Sequence, residues 1–142
     1  EDARAQMAYG LSVCDILKIS DNEIQWFSGK EDYTEGIHML QQTYQIPLIL
    51  LSMGRDGSRA YYKDMLVEVP AFLQKNTIET TGAGDTFGAC CLHHILKYGL
   101  DNLTKQQLKE MLTFANAAAS IITTRKGALR VMPSLEEIQR LL

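Results

Sequence analysis

The chain has 142 residues, 46% of them hydrophobic and 22% charged, the composition of one soluble globular domain with a real core. A net charge of −3 and a pI near 5.6 give no electrostatic footprint for nucleic acid. No apolar run approaches the ~20 residues of a membrane span, so no membrane partner is expected. The opening Glu1-Asp2-Ala3-Arg4 carries neither an initiator methionine nor a signal-peptide pattern, which reads as a piece of a longer chain or a processed one.

In chain order, Asp15-Ile16-Leu17-Lys18-Ile19 reads as a short strand, followed by a helix that opens near Ser20 to Asn22 and ends by Gly29. Ile37, Leu40 and Tyr44 recur at helical spacing and predict a second helix over 32–44. The continuous apolar run from Pro47 to Met53 predicts a strand buried on both faces. Gly54-Arg55-Asp56-Gly57 is then a turn, and Ser58 to Lys63 and Met65 to Val69 pair as a hairpin with Lys63-Asp64 at its tip. A helix over 86–98 closes at Gly99, another is capped by Thr104 and runs to about Thr123, and Ser134 with Glu137 forms a capping box for the last. Strands alternating with helices predict an α/β sandwich around a mostly parallel sheet, with ligands gathering where strands end and helices begin.

Cys14, Cys90 and Cys91 are odd in number and have no metal-ligand spacing, as expected of reduced core cysteines in a cytoplasmic protein. His38, His93 and His94 have no acid or cysteine partner at metal spacing and are read as structural.

The most informative stretch is Glu79-Thr80-Thr81-Gly82-Ala83-Gly84-Asp85-Thr86-Phe87. Glycines allow a turn to present several backbone N–H groups to an anion, and the helix behind adds its own free N–H groups and positive dipole end. An acid at the lip of such a cradle suits a base that takes a proton from an attacking hydroxyl. The alternative for the short Gly-x-Gly-Asp pattern is a helix cap with no ligand. The longer string resembles the second signature of the ribokinase-like, PfkB-type sugar kinases, Asp-Thr-x-Gly-Ala-Gly-Asp-x-Phe. It matches from Thr80 through Phe87 and departs at Glu79, where the family has Asp, and at Cys90, where it has Ala or Gly.

Three further motifs follow in the family's order. Ser52-Met53-Gly54-Arg55-Asp56-Gly57, by itself a hairpin connection, resembles the turn that lies along the nucleotide phosphates. That implies Ser52, Gly54 and Gly57 lining the donor site, with Arg55 reaching the phosphates. Lys18-Ile19-Ser20-Asp21-Asn22-Glu23 is most similar to the fructokinase branch. By that match Glu23 helps hold Mg2+ through water, although Ser20 stands where the family has Asn; helix capping explains Ser20 and Asp21 equally well. Asn116, on an alanine-rich helical face that packing alone would explain, matches a position bordering adenine. The loop Thr124-Arg125-Lys126-Gly127-Ala128 matches one that contributes carbonyls to a monovalent-cation site, with Glu79 and Thr81 facing it and Gly127 within it. The longer Glu79 side chain shifts its oxygens, which puts K+ activation in question.

The resemblance runs from about Asp15 to the end and covers the family's C-terminal half, the nucleotide-binding and catalytic-base portion of a three-layer sandwich. It implies an ATP- and Mg2+-dependent sugar kinase of fructokinase type. Asp85 would be the base and the Gly82–Asp85 loop the anion hole, with the N–H groups of Ala83, Gly84 and Asp85 stabilising the charge. A ribose, nucleoside, keto-deoxygluconate or phosphosugar acceptor is the alternative, as is a non-catalytic nucleotide-binding module. In the family the N-terminal half supplies most sugar contacts and a lid that often forms a dimer interface. A homodimer is therefore expected of the full-length protein, and little activity of this portion alone.

Overall fold

The computed structural model describes residues 2–142. Helix α1 (Asp2–Val13) precedes strand β1 (Ile16–Ser20), helices α2 (Asp21–Ser28) and α3 (Tyr33–Tyr44), and strand β2 (Leu48–Ser52). A single 3-10 turn (Gly54–Asp56) leads to β3 (Ser58–Tyr62) and β4 (Met65–Val69). Helices α4 (Ala83–Tyr98) and α5 (Lys105–Ile122), a second 3-10 turn (Leu129–Val131) and α6 (Leu135–Leu141) complete the chain. The sheet order is β1-β2-β3-β4. β1 and β2 are parallel, as two strands separated by two helices can be. The two-residue connection at Lys63-Asp64 makes β3 and β4 an antiparallel hairpin, and Lys63 takes the positive φ of 52° that a tight hairpin turn requires. The sheet is therefore mixed, a part of the α/β fold anticipated.

The chain forms two compact units. The first takes the chain through Met53 together with Ala60–Leu66; the second takes Gly54–Arg59 and Val67–Leu142. In the first, Ile19, Ile24, Ile37, Leu40, Ile49 and Leu51 build a continuous core, with Leu11 of α1 and Tyr61 of β3 joined to it. Leu48, Ile49, Leu50 and Leu51 are all at most 1% exposed, so β2 is buried on both faces as its unbroken apolar run requires. In the second unit, Ala117, Ala118 and Ile138 pack with Phe72, Cys90 and Phe114. The small residues of α5 let neighbouring segments approach closely, and Leu112 and Leu108 extend the buried stripe one and two turns towards its start.

Side-chain caps set most helix starts. Ser20, Thr104 and Ser134 each accept from the backbone N–H three residues on, while Glu23, Gln107 and Glu137 reach back to the cap's own N–H. Asp32 caps α3 by accepting from Thr34 N at 2.7 Å. Two features depart from expectation. Helix α1 has no counterpart in the sequence reading, and α4 begins at Ala83, three residues earlier than the predicted start at Thr86.

Candidate active site

The parallel register of β1 and β2 pairs Ser20 with Ser52 at their carboxyl ends. Ser20 and Ser52 thus end neighbouring strands side by side, at the edge where open α/β sheets bind ligands. Ser20 caps α2, and its N–H donates to Glu23 Oε2 at 2.7 Å. This bond, helped by the Ser20 hydroxyl and Lys18, holds the Glu23 carboxyl below its ordinary value against the cost of partial burial. One oxygen of Glu23 is therefore engaged in the cap, and the other is available to a hydrated cation. No cluster of three or more His, Cys, Asp or Glu able to hold a metal occurs among the described residues. A magnesium ion would then rest on one carboxylate, water and phosphate oxygens, the donor set it favours.

In the second unit, Gly54, Arg55 and Asp56 are exposed and Gly57 is buried. Gly57 N–H reaches Gly54 O at 3.4 Å, which closes the turn. Gly57 has φ +102°, and a Cβ there would stand 2.2 Å from Val69 O. Only glycine fits that position. Ser52 lies partly exposed at the end of β2, so the turn follows directly from the sheet edge.

The glycine motif is the first turn of a helix. Gly82 takes a left-handed conformation (φ 78°) as N-cap of α4, so Ala83, Gly84 and Asp85 are its first three helical residues. Ala83 N–H donates to Thr80 O at 3.1 Å, and Thr86 N–H to Gly82 O at 2.9 Å. The N–H groups of Gly84 and Asp85 have no intrahelical acceptor, as first-turn amides never do. Of the three amides expected to form the cradle, Ala83 N–H is used by the turn itself, and those of Gly84 and Asp85 remain at the helix terminus. Asp85 is exposed, with its carboxylate in the same turn as those amides. Close packing holds this N-terminus, since a Cβ on Gly82 would lie 3.2 Å from both Ala128 Cβ and Ile122 Cδ1.

Glu79 and Gly127 come together. Glu79 Oε1 accepts from Gly127 N–H at 2.7 Å, and the N–H groups of Ile78 and Glu79 donate to Thr123 O at 2.8 and 3.3 Å. Arg125 fastens the same loop, donating to Val131 O at 3.0 Å and pairing with Glu137. Thr81 is exposed at the loop's rim. Sequence reading gave Ser58 no part in the site, because its partner Asn116 lies 58 positions away in the chain. Asn116 is buried, with its side-chain amide bonded to Ser58, Val69 and Pro70.

Of the three histidines, His38 and His93 are exposed and His94 is half-buried. His94 lies 5.0 Å from the Phe114 ring with Nδ1 3.0 Å from Cys90 O. Burial pushes the Cys90 thiol up to about 11 and that of Cys91 higher still, so both remain thiols at neutral pH.

Residues 1–135 match the pfkB family of carbohydrate kinases. The chain belongs to that family. It is 32% identical to Fructokinase-1 of Zea mays over 142 residues, all of this chain and 44% of the relative. It is 32% identical to a fructokinase of Klebsiella pneumoniae over 99% of this chain and 45% of the relative. The chain therefore spans less than half the length of these pfkB relatives. Among solved structures, a Vibrio cholerae O395 fructokinase with fructose, ADP and calcium superposes with a TM-score of 0.87 at 24% identity, covering 99% of this chain and 45% of that one. A double mutant of the same enzyme, in a form binding fructose, ADP and potassium, gives 0.86 at 24% identity over 99% and 44%. An E. coli structure with ATP and Mg2+ gives 0.82 at 22% identity over 99% and 42%. These likenesses establish the ribokinase-like fold. No helix among the described residues is long and apolar enough to cross a membrane.

Proposed function

We propose that the full-length protein transfers the terminal phosphoryl group of ATP to a hydroxyl of a sugar of the fructose class. The observation that carries this reading is the first turn of α4, where two free amides and an exposed carboxylate occupy consecutive residues of a pfkB-family chain. Asp85 takes the proton of the sugar hydroxyl as the new O–P bond forms and the bond to the ADP oxygen breaks. The N–H groups of Gly84 and Asp85 stabilise the charge on the transferring group from a helix end that needs no rearrangement. Donors of this kind are each worth roughly 2.7–4 kcal/mol of barrier. The turn formed by Gly54, Arg55 and Gly57 runs along the donor phosphates, with Ser52 before it and Arg55 supplying charge. Glu23 would hold Mg2+ through water with its uncapped oxygen, and the ion would supply neutralisation of the phosphate charge.

Potassium at the clasp of Glu79 and Gly127 would be held by carbonyls of the 124–128 loop and by the second Glu79 oxygen, since Gly127 N–H donates to the first. A higher Mg-ATP affinity in potassium than in sodium, lost on Glu79→Gln, is the expected result if the ion binds there.

The deciding experiment is Asp85→Asn in the full-length protein with a panel of sugars. We expect kcat for fructose to fall about 10²–10⁴-fold with little change in ATP binding. An unchanged kcat removes Asp85 from the role. Preference for ribose or a nucleoside reassigns the acceptor, and ATP binding without turnover in the wild type points to a non-catalytic module.

A further inference from the structure

Asn116 offers no hydrogen-bond donor to a ligand. Its Oδ1 accepts from the Ser58 hydroxyl at 2.9 Å, and its Nδ2 donates to Val69 O at 3.1 Å and Pro70 O at 3.0 Å. A primary amide has two N–H bonds, and both are engaged. The two carbonyls also fix which amide atom is nitrogen, because the flipped group would set oxygen against oxygen. Asn116 is 7% exposed and Ser58 fully buried, so water does not compete for these bonds.

The three partners share one place. Ser58 follows Gly57, and Gly57 lies so close to Val69 and Pro70 that its missing Cβ would fall 2.2 Å from Val69 O and 2.8 Å from Pro70 Cα. Asn116 therefore bonds both sides of the contact on which the 54–57 turn rests. Losing it would remove the acceptor of the Ser58 hydroxyl and one donor from each of the two carbonyls, loosening the turn's downstream end.

We propose that Asn116 is a positioning residue for the phosphate side of the nucleotide site, acting through Ser58 on the 54–57 turn. This rests on the proposed role of that turn along the donor phosphates. A residue lining the base would alter the choice between purines, whereas one that sets the turn alters affinity for any polyphosphate.

The test uses Ser58→Ala and Asn116→Ser in the full-length protein. Calorimetric titrations with Mg-ATP, Mg-GTP and magnesium tripolyphosphate are paired with amide hydrogen exchange over residues 54–59. Each variant should weaken ATP and tripolyphosphate by the same factor, about 3–10-fold, with the ATP-to-GTP ratio unchanged and exchange at 54–59 accelerated. Ser58→Ala removes one hydroxyl and leaves both carbonyl bonds of Asn116, so it remains informative if Asn116→Ser does not fold. Loss of ATP affinity with tripolyphosphate unaffected, a shifted ATP-to-GTP ratio, or unchanged exchange overturns the proposal. A folded wild type that binds neither nucleotide nor tripolyphosphate overturns the kinase reading and this inference together. Wild-type binding without the variant pattern overturns the inference alone.

Discussion

Gly57 and Gly54 sit in one turn and differ in what surrounds them. A side chain at Gly57 meets Val69 O at 2.2 Å and must also hold φ at +102°, whereas Gly54, at φ +54°, has nothing within 4 Å. Gly57→Ala should therefore destabilise by more than about 3 kcal/mol, steric overlap adding to backbone strain. Gly54→Ala should cost only about 1–2 kcal/mol, the penalty of a left-handed alanine. Urea denaturation of the two variants checks the difference, and equal losses would mean that the close approach at Gly57 relaxes freely. Glu79 presents a similar contrast of contacts. Its bond to Gly127 N–H makes it an acceptor within the protein, so Glu79→Ala leaves that amide unpaired and should loosen the 124–128 loop. Hydrogen exchange at Gly127 would report the loss directly. Such residue pairs lie 48 positions apart in the chain, and no local pattern announces them.

Elements were legible where their ends carry side-chain chemistry. Ser20, Thr104 and Ser134 with their acids or amides three residues on mark the starts of α2, α5 and α6 in the sequence and in the structure alike. The start of α4 was misread because its N-cap is Gly82, which has no side chain with which to signal. The shift matters chemically, since it places Gly84 and Asp85 in the first turn of the helix, where their N–H groups belong to its terminus. Helix α1 was invisible because only Leu11 of its twelve residues is buried, so no apolar stripe repeats along it. The capping acids also predict a pH response. Glu23 is held low first by the Ser20 N–H, and Glu137 first by the Ser134 N–H and then by Arg125, both from an ordinary 4.5. A carboxyl whose folded value is depressed contributes stability that is complete above its unfolded value and is lost as pH falls through the folded one. Melting temperature should therefore drop as pH falls below about 4.5, and Glu23→Gln with Glu137→Gln should flatten that limb. An unaltered acid limb in the double variant would assign the acid sensitivity to other groups. Thr104→Ala, which deletes a cap without touching either acid, should cost about 1 kcal/mol and leave the limb unchanged.

At the scale of the whole molecule, what governs behaviour is that the chain spans less than half the length of its pfkB relatives. β1 is an edge of the sheet, and of its five residues only Ile19 is fully buried. Ile16 and Leu17 remain partly open beside an unpaired row of backbone groups, with Lys18 as the one charge on the strand. A parallel edge with a single charged guard is a template for another strand. In the second unit, Leu92 and Leu96 stand one turn apart on α4 at 49% and 88% exposure, and Leu129 is 82% exposed. Isolated apolar residues of this kind are ordinary, but a helical pair together with an open strand edge gives two independent routes to association. The 142-residue chain by itself should therefore self-associate at micromolar concentrations, and the full-length protein should not form the same open-ended aggregates. Light scattering coupled to size exclusion separates the two expectations. Ile16→Lys, which puts a second charge on the edge strand, should suppress association if strand pairing dominates, while Leu92→Glu with Leu96→Glu should suppress it if the helix face does. A monodisperse monomer of the chain alone would mean that β1 and α4 are adequately covered by solvation.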